Sequence, residues 1–355
     1  MTTLPRRVHR ILQAGTVIPA VPLALDRNRI FAPRYQRALT RYYIDAGAGG
    51  VAVGVHSTQF AIRAEEVDLL EPVLECTSRA VDEWADRQIV KIAGVCGRTE
   101  QAVTEAELAW RCGYHACLLS LSAFGDDTVD AMIEHAATVS KVMPVIGFYL
   151  QPSVGGRTLP YSFWRRFADI ENVVAIKVAP FNRYQTLDVV RAVCEAGREN
   201  DIALYTGNDD NIVPDLLTSH RIPTADGTKS IRFKGGLLGH WCVWTRRAVE
   251  LLETIHRVCR NGDSIPADLL TRGIEITDCN AAFFDAANNF AGCIPGIHEV
   301  LHRQGLLPGT WCLDPDETLS PGQKEEIDRV YHAYPHLNDD DFVTANLDRW
   351  LANAR

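Results

Sequence analysis

The chain is short of positive charge: Lys and Arg number 36 against 45 Asp and Glu, a formal net charge of -9 over 355 residues. That balance argues against nonspecific nucleic-acid binding, which needs a basic face to neutralise phosphates. Long apolar runs are missing too; none approaches the roughly 18 residues that suggest a membrane span. The opening Met1-Thr-Thr-Leu-Pro-Arg-Arg-Val-His-Arg10 lacks the apolar core of a secretory signal. Ten cysteines are scattered along the chain and no C-x-x-C pair occurs, so neither a disulfide framework nor a paired-thiol motif is expected. They read as reduced, buried thiols of a cytoplasmic protein. With 46% hydrophobic and 23% charged residues, the composition is globular and excludes disorder and collagen-like repeats. The length allows about two domains, or one large barrel with an appendage, and a sizeable core.

From about Gly15 to Cys259, short apolar runs alternate with longer amphipathic stretches. Candidate strands are Val17–Leu23, Gly50–Gly54, Ile89–Ala93, Ala116–Leu121, Val145–Tyr149, Val173–Val178, Ile202–Thr206 and Ile231–Gly235. Each is the kind of run that a strand buried on both faces requires. Ala64–Trp84, Glu100–Cys112, Val129–Val142 and Leu187–Ala196 read as helices between them. Eight strand–helix units favour a closed parallel α/β barrel. An open doubly wound sheet would usually bring a glycine fingerprint after its first strand, and Pro19-Ala-Val-Pro-Leu-Ala24 stands there instead. Arg221–Ser230 reads as a polar loop before the last strand.

Beyond Cys259 no strand signal remains; Ala267–Asn289, Gly296–Gln304, Pro321–Ala333 and Asp341–Ala354 read as helices. Ser320-Pro321 places a cap residue before Pro at a first helical position. The expected fold class is therefore α/β, a (β/α)8 TIM barrel over residues 1–258 with a C-terminal helical appendage over 259–355.

In such barrels catalytic side chains project from the C-terminal ends of strands. Two polar residues stand out. Tyr149 ends the fifth strand in Val145-Ile-Gly-Phe-Tyr-Leu-Gln-Pro152, and Lys177 sits within Asn172-Val-Val-Ala-Ile-Lys-Val-Ala179. Burial disfavours an ammonium, lowers its pKa and leaves an amine nucleophilic toward carbonyls. The alternative for Lys177 is a strand-end lysine that snorkels to solvent or pairs with a carboxylate.

Lys177 in Ala-Ile-Lys, Tyr149 and the intervening Gly155-Gly-Arg-Thr158 together resemble the dihydrodipicolinate synthase/N-acetylneuraminate lyase family of aldolases. Asp45-Ala-Gly-Ala-Gly-Gly-Val51, Ile92-Ala-Gly-Val95, Tyr205-Thr-Gly-Asn-Asp209 and Lys234-Gly-Gly-Leu-Leu-Gly239 extend the likeness over about residues 15–310. The resemblance implies that Lys177 forms a Schiff base with a 2-oxo acid and that Tyr149 shuttles protons. It also implies that Arg157 holds a substrate carboxylate and that Gly207 and Gly235 let backbone approach the substrate. A surface-loop arginine is the competing reading of Arg157.

Departures from the family pattern are as informative. Gly54-Val55-His56-Ser57-Thr58 stands where the family usually carries Gly-Thr-Thr-Gly-Glu or Gly-Ser-Thr-Gly-Glu, a loop that grips the carboxylate and supplies a relay hydroxyl. Val55 has no hydroxyl, so His56 and Ser57 are the expected substitutes. Leu121-Ser-Ala-Phe124 replaces the usual Pro-Tyr-Tyr, removing another relay tyrosine. Schiff-base chemistry with a rewritten substrate shell follows, and lysine biosynthesis is not the expected role.

Rival motifs carry less. His298-Glu-Val-Leu-His302 matches the H-E-x-x-H zinc pattern, but position 308, where the extended motif needs a third histidine, is proline. Glu317 is separated from the pair by Gly305 and Pro308, so an amphipathic tail helix ending at Gly305 is expected. Asp209-Asp210 and Asp126-Asp127 read as loop and helix-start acids rather than a Mg²⁺ site. Trp241, Trp244 and Trp311 read as packing residues. The sequence thus leads to a Schiff-base lyase or aldolase on a 2-oxo acid, with no metal or organic cofactor, no nucleic-acid or membrane partner, and a homotetramer or homodimer implied by the resemblance. Hydratase–aldolase or dehydratase chemistry on the same imine, or non-catalytic binding of a small acid, are the alternatives.

Overall fold

A computed structural model describes residues 2–262 and 264–352. The elements run, in chain order, α1 (Arg6–Ala14), β1 (Val17–Pro19), α2 (Pro33–Ala46), β2 (Gly50–Val53), α3 (Leu70–Trp84), β3 (Val90–Val95), α4 (Thr99–Arg111), β4 (Ala116–Leu119) and α5 (Val129–Ser140). There follow β5 (Val145–Leu150), α6 (Tyr161–Phe167), β6 (Val173–Ala179), α7 (Arg183–Glu195), β7 (Ala203–Thr206), α8 (Ile212–Leu217), β8 (His220–Thr224), β9 (Gly227–Ile231) and β10 (Gly235–Leu238). Five helices complete the chain: α9 (Thr245–Asn261), α10 (Ala267–Phe283), α11 (Cys293–Arg303), α12 (Gln323–Ala333) and α13 (Asp340–Leu351).

Eight strands form one sheet in the order β1-β10-β7-β6-β5-β4-β3-β2, and a parallel bridge between Ala20 and Ala52 links its two ends. This is the expected (β/α)8 barrel, with helices after the strands and a helical C-terminal part. The expected polar loop at Arg221–Ser230 is instead an antiparallel hairpin, β8–β9, that pairs His220 with Ile231 and Thr224 with Gly227. Its residues are mostly exposed, so neither face gave a hydrophobic alternation to read. The eighth barrel strand is consequently Gly235–Leu238 rather than Ile231–Gly235. Helices α1 and α2 were not anticipated, α10 stops at Phe283, and α12 starts at Gln323, behind Gly322 in a left-handed conformation. The last two residues of the Asp341–Ala354 helix expected from sequence lie outside the described residues.

By contacts the chain groups into two compact units, Met1–Thr16 with Val90–Leu237 and Val17–Ile89 with Leu238–Arg355. This division cuts across the one drawn from sequence at 258/259. In the first unit, β3 and β4 are buried along their whole length, and β5 and β6 almost so, as strands covered on both faces must be. The outer face of β5 packs on α6: a Cβ at Gly147 would come within 2.6 Å of Phe167, and Tyr149 lies 5.2 Å from Trp164 between ring centroids.

In the second unit the C-terminal helices are tied to α2 and α9 through a buried and a half-buried carboxylate. Asp339, 2% exposed, accepts hydrogen bonds from the Tyr42 hydroxyl at 2.7 Å, the Arg246 backbone N–H at 3.0 Å and Gln304 Nε2 at 2.8 Å. Asp45 accepts from the indoles of Trp84 and Trp350 at 3.0 and 2.6 Å. All ten cysteines are free thiols. Among the described residues, no helix is long and apolar enough to cross a membrane.

Candidate active site

The parallel register of the first unit builds the site. Lys177 on β6 is paired with Phe148 on β5 and with Tyr205 on β7, and Tyr205 is paired with Gly235 on β10. Residues in register on adjacent strands point to the same face, and their chain neighbours point to the other. Lys177 therefore shares a face with Phe148, and its Nζ lies 4.4 Å from the centre of that ring.

Lys177 is 8% exposed. Removal of water disfavours its ammonium form and lowers the pKa to about 8, while the Asp209 carboxylate acts in the opposite direction. At pH 7 about a tenth of the side chain is then the neutral amine, against less than one part in a thousand for an ordinary lysine. A second strand lysine, Lys91, is also buried, but it stands second in β3, near the strand's N-terminal end. Lys177 is fifth of the seven residues of β6, toward the C-terminal end where barrel chemistry is placed.

Tyr149 is placed differently from the expectation. It is one residue out of register with Lys177, on the helix-covered face of β5, and fully buried against Trp164. Its hydroxyl accepts from the Leu159 backbone N–H at 3.1 Å and donates to the Leu159 carbonyl at 3.2 Å. Burial raises its pKa above the ordinary phenol value. In this arrangement Tyr149 anchors the loop after β5, and Phe148 occupies the face toward the lysine.

Arg157 does come to the same region. It lines a small cavity of about 10 Å³ with Ser120, Ser122, Phe148, Leu150 and Leu159, space for about one water. One of its terminal nitrogens donates to the carbonyls of Phe124 and Asp127, at 3.3 and 3.5 Å. The hydroxyls of Ser120 and Ser122 are 3.0 Å apart beside it.

At both glycines the space a side chain would take is filled by atoms of the chain itself. A Cβ on Gly207 would stand 2.7 Å from Lys177 Cε and 2.8 Å from Ala179 Cβ, so the missing side chain makes room for the lysine itself. A Cβ on Gly235 would stand 2.2 Å from the Thr16 carbonyl oxygen, in space that the chain's own backbone already fills. The loop after β7 is shaped by a residue that the sequence did not single out. Asp215, 2% exposed, accepts from Thr206 Oγ1 at 2.6 Å, Asn208 Nδ2 at 3.0 Å and Asn211 Nδ2 at 3.0 Å, and pairs with Arg183.

The 54–58 loop is described within the second unit. Ser57 is buried and donates its hydroxyl hydrogen to the Ala20 carbonyl at 2.8 Å. Thr58, fully buried, is the latch: its hydroxyl accepts from Gly54 N–H at 3.0 Å and Val55 N–H at 3.3 Å and donates to the Val21 carbonyl at 2.7 Å. His56 is half-buried, its ring 6.2 Å from Phe60. At the end of the loop Gln59 adopts φ +67° and accepts from the Leu313 backbone N–H at 2.6 Å. His56, Ser57 and Thr58 thus form one turn, closed on itself by the Thr58 hydroxyl and held to the 20–21 backbone by the hydroxyls of Ser57 and Thr58.

The H-E-x-x-H motif and Asp127 have structural partners. His298 is buried in α11, Glu299 pairs with Arg303 at 2.9 Å, and His302 Nδ1 contacts the Leu307 carbonyl at 3.1 Å. Asp127 pairs with Arg98 at 2.7 Å. Among the described residues, neither the 298–302 motif nor either Asp pair belongs to a cluster of three potential metal ligands. Trp241 and Trp244 are buried, as packing residues are.

Comparison with known proteins identifies the family and the fold. A family model described as the dihydrodipicolinate synthetase family matches residues 13–220. A curated relative, the 4-hydroxy-tetrahydrodipicolinate synthase of Clostridium novyi, is 30% identical over 131 residues, 36% of this chain and 43% of the relative. The chain thus matches less than half the length of that relative. Among solved structures, the chloride-inhibited dihydrodipicolinate synthase of Acinetobacter baumannii in complex with pyruvate superposes with a TM-score of 0.73 at 16% identity, covering 90% of this chain and 98% of that one. N-acetylneuraminate lyase from Fusobacterium nucleatum in complex with pyruvate superposes with a TM-score of 0.71 at 16% identity, covering 91% and 98%. At these identities the superpositions show the fold.

Proposed function

Since the chain belongs to the dihydrodipicolinate synthetase family, we propose that it is a Schiff-base-forming lyase or aldolase acting on a 2-oxo acid, with Lys177 as the nucleophile. The observation that carries this reading is a buried lysine on β6 whose pKa is lowered to about 8 inside a family barrel. The neutral amine adds to the ketone carbon, the carbonyl oxygen takes up two protons and leaves as water, and the nitrogen remains as a cationic imine. That imine draws electrons from the adjacent carbon, so a proton or a carbon substituent there departs and leaves an enamine. No metal or organic cofactor is required for this sequence of steps.

Arg157 is the group we assign to a substrate carboxylate, on its guanidinium chemistry and its place beside Phe148, the register partner of Lys177. Asp209, 5% exposed and electrostatically felt at Lys177, is the carboxylate we assign to proton exchange with the reacting groups. His56 and Ser57 remain candidates for the substrate-reading turn. A cytoplasmic homo-oligomer suits the free thiols and the exposed Tyr184 and Leu187, one turn apart on α7.

A second reading, a member that binds a small acid without turning it over, is favoured by one observation: the face toward Lys177 carries Phe148 instead of a phenol. Proton NMR of pyruvate in D₂O separates the two. Enamine formation washes out the methyl signal, and the proposed function expects that loss with the wild-type chain and none with Lys177→Ala. A methyl signal that persists with pyruvate, together with persistence of the corresponding protons of larger oxo acids, would leave only the binding reading.

A further inference from the structure

We infer that the Phe148 ring is a catalytic platform that stabilises positive charge on the Lys177 nitrogen, in its ammonium form and in the imine formed from it. The inference rests on the Schiff-base reading of Lys177 and adds to it a residue that neither the resemblance nor the sequence pattern singled out. Three features on β5 and β6 carry it. Phe148 and Lys177 are register partners, so the backbone fixes them on one face. The Nζ stands 4.4 Å from the ring centroid, within the range where the negative face of an aromatic ring attracts a cation. Both side chains are buried, at 6% and 8% exposure, and the attraction strengthens where water is excluded.

The charge on this nitrogen changes along the reaction. The neutral amine uses its lone pair to form the C–N bond, the carbonyl oxygen takes up two protons and leaves as water, and the imine nitrogen is left positive. Relative to the neutral amine the step consumes one proton. Loss of a proton from the adjacent carbon then yields a neutral enamine. An aromatic face favours the two cationic states over the two neutral ones. It therefore offsets part of the cost of placing a cation in a dry site and holds the imine in its electron-drawing form.

Other groups toward the lysine come from β7 and β5. From the β7 side come Asp209, which favours the cation, and Tyr205, whose hydroxyl donates to the Leu12 carbonyl at 3.0 Å and whose burial holds it well above the ordinary phenol range. From the β5 side comes Phe148, with Arg157 beyond it in the same cavity. Removing the ring thus leaves the Asp209 carboxylate and Tyr205 on the β7 side and takes away the aromatic face 4.4 Å from the amine.

The test compares borohydride trapping of the pyruvate imine, at subsaturating pyruvate, in the wild-type chain, Phe148→Leu and Phe148→Tyr across pH 6 to 9.5. In Phe148→Leu the midpoint for deprotonation of Lys177 moves down by up to about one pH unit, the size of a desolvated cation–aromatic contact. At pH 6, where lysine and imine are both cationic, the adduct yield stays within about twofold of wild type. At pH 9, where the lysine is neutral, the yield falls by about tenfold. Phe148→Tyr keeps the wild-type profile. A loss of simple packing would lower the yield equally at both pH values, and that result, or an unchanged midpoint in Phe148→Leu, overturns the inference. Should Phe148→Leu fail to fold, fluorination of the Phe148 ring keeps its shape while weakening its negative face, and the same pH-dependent loss is expected. Absence of any adduct in the wild-type chain, with pyruvate and with larger oxo acids, is instead the failure of the Schiff-base reading.

Discussion

Tyr149→Phe separates two accounts of the same residue. If Tyr149 shuttles protons at the lysine, removal of its hydroxyl leaves the fold intact and strongly slows imine chemistry. The structure leads to the reverse. The hydroxyl sits on the helix-covered face of β5 and satisfies two backbone groups of Leu159, accepting at 3.1 Å and donating at 3.2 Å. Both Leu159 and Tyr149 are buried, so Phe at 149 strands a buried N–H and a buried carbonyl. Each such group costs about 1–3 kcal/mol, and partial relaxation of the loop brings the expected total to about 2 kcal/mol. On the scaling for units of this size, the thermal midpoint drops by about 4–8 °C. Imine formation at Lys177 stays within about threefold of wild type below that transition, because the phenol is directed away from the Lys177–Phe148 face. Differential scanning calorimetry and borohydride trapping of the same samples provide the two readouts. An unchanged midpoint together with a hundredfold loss of trapping would refute this placement of Tyr149.

Other expectations follow from single residues. Gly207→Ala sets a Cβ 2.7 Å from Lys177 Cε and 2.8 Å from Ala179 Cβ, well inside ordinary contact; it should cost about 1–3 kcal/mol and slow trapping at least tenfold by displacing the lysine, and wild-type trapping kinetics would contradict this. Asp339→Ala leaves the Tyr42 hydroxyl, the Arg246 N–H and the Gln304 amide without their shared acceptor, so urea denaturation should show a loss of about 3 kcal/mol or more. The initial rate of imine formation should rise with pH through about 8 and then level off, because attack needs the neutral amine and burial lowers the Lys177 pKa to that value. A rate that keeps climbing toward pH 10 would indicate an ordinary, solvated lysine.

The residues differ in how openly the sequence announced them. β5 and β6 were legible because parallel strands covered on both faces must be continuous apolar runs, and a lysine inside one is conspicuous. The same continuity hid the direction of Tyr149. In Val-Ile-Gly-Phe-Tyr-Leu both faces are apolar, so period-two alternation does not say which of Phe148 and Tyr149 turns toward Lys177; only the pairing with β6 does. Motif matching favoured the residue with a hydroxyl. The β8–β9 hairpin escaped for the opposite reason, having in β8 a single apolar residue, Ile222, on its half-buried face. Asp215 and Asp339 look like ordinary surface acids in sequence. Their burial depends on partners such as Tyr42, 297 positions from Asp339, which local spacing does not reveal. Arg157 stood out through its neighbours Gly155 and Gly156, and the structure places it beside Phe148.

The central claim is that Lys177 forms an imine with a 2-oxo acid. Its most direct measurement is borohydride reduction in the presence of pyruvate, then of a series of larger oxo acids, with intact-mass analysis and peptide mapping. The account predicts one reduced adduct per chain, on the peptide bearing Lys177, and none in Lys177→Ala. An adduct confined to any other lysine, or none across the whole series, would contradict it.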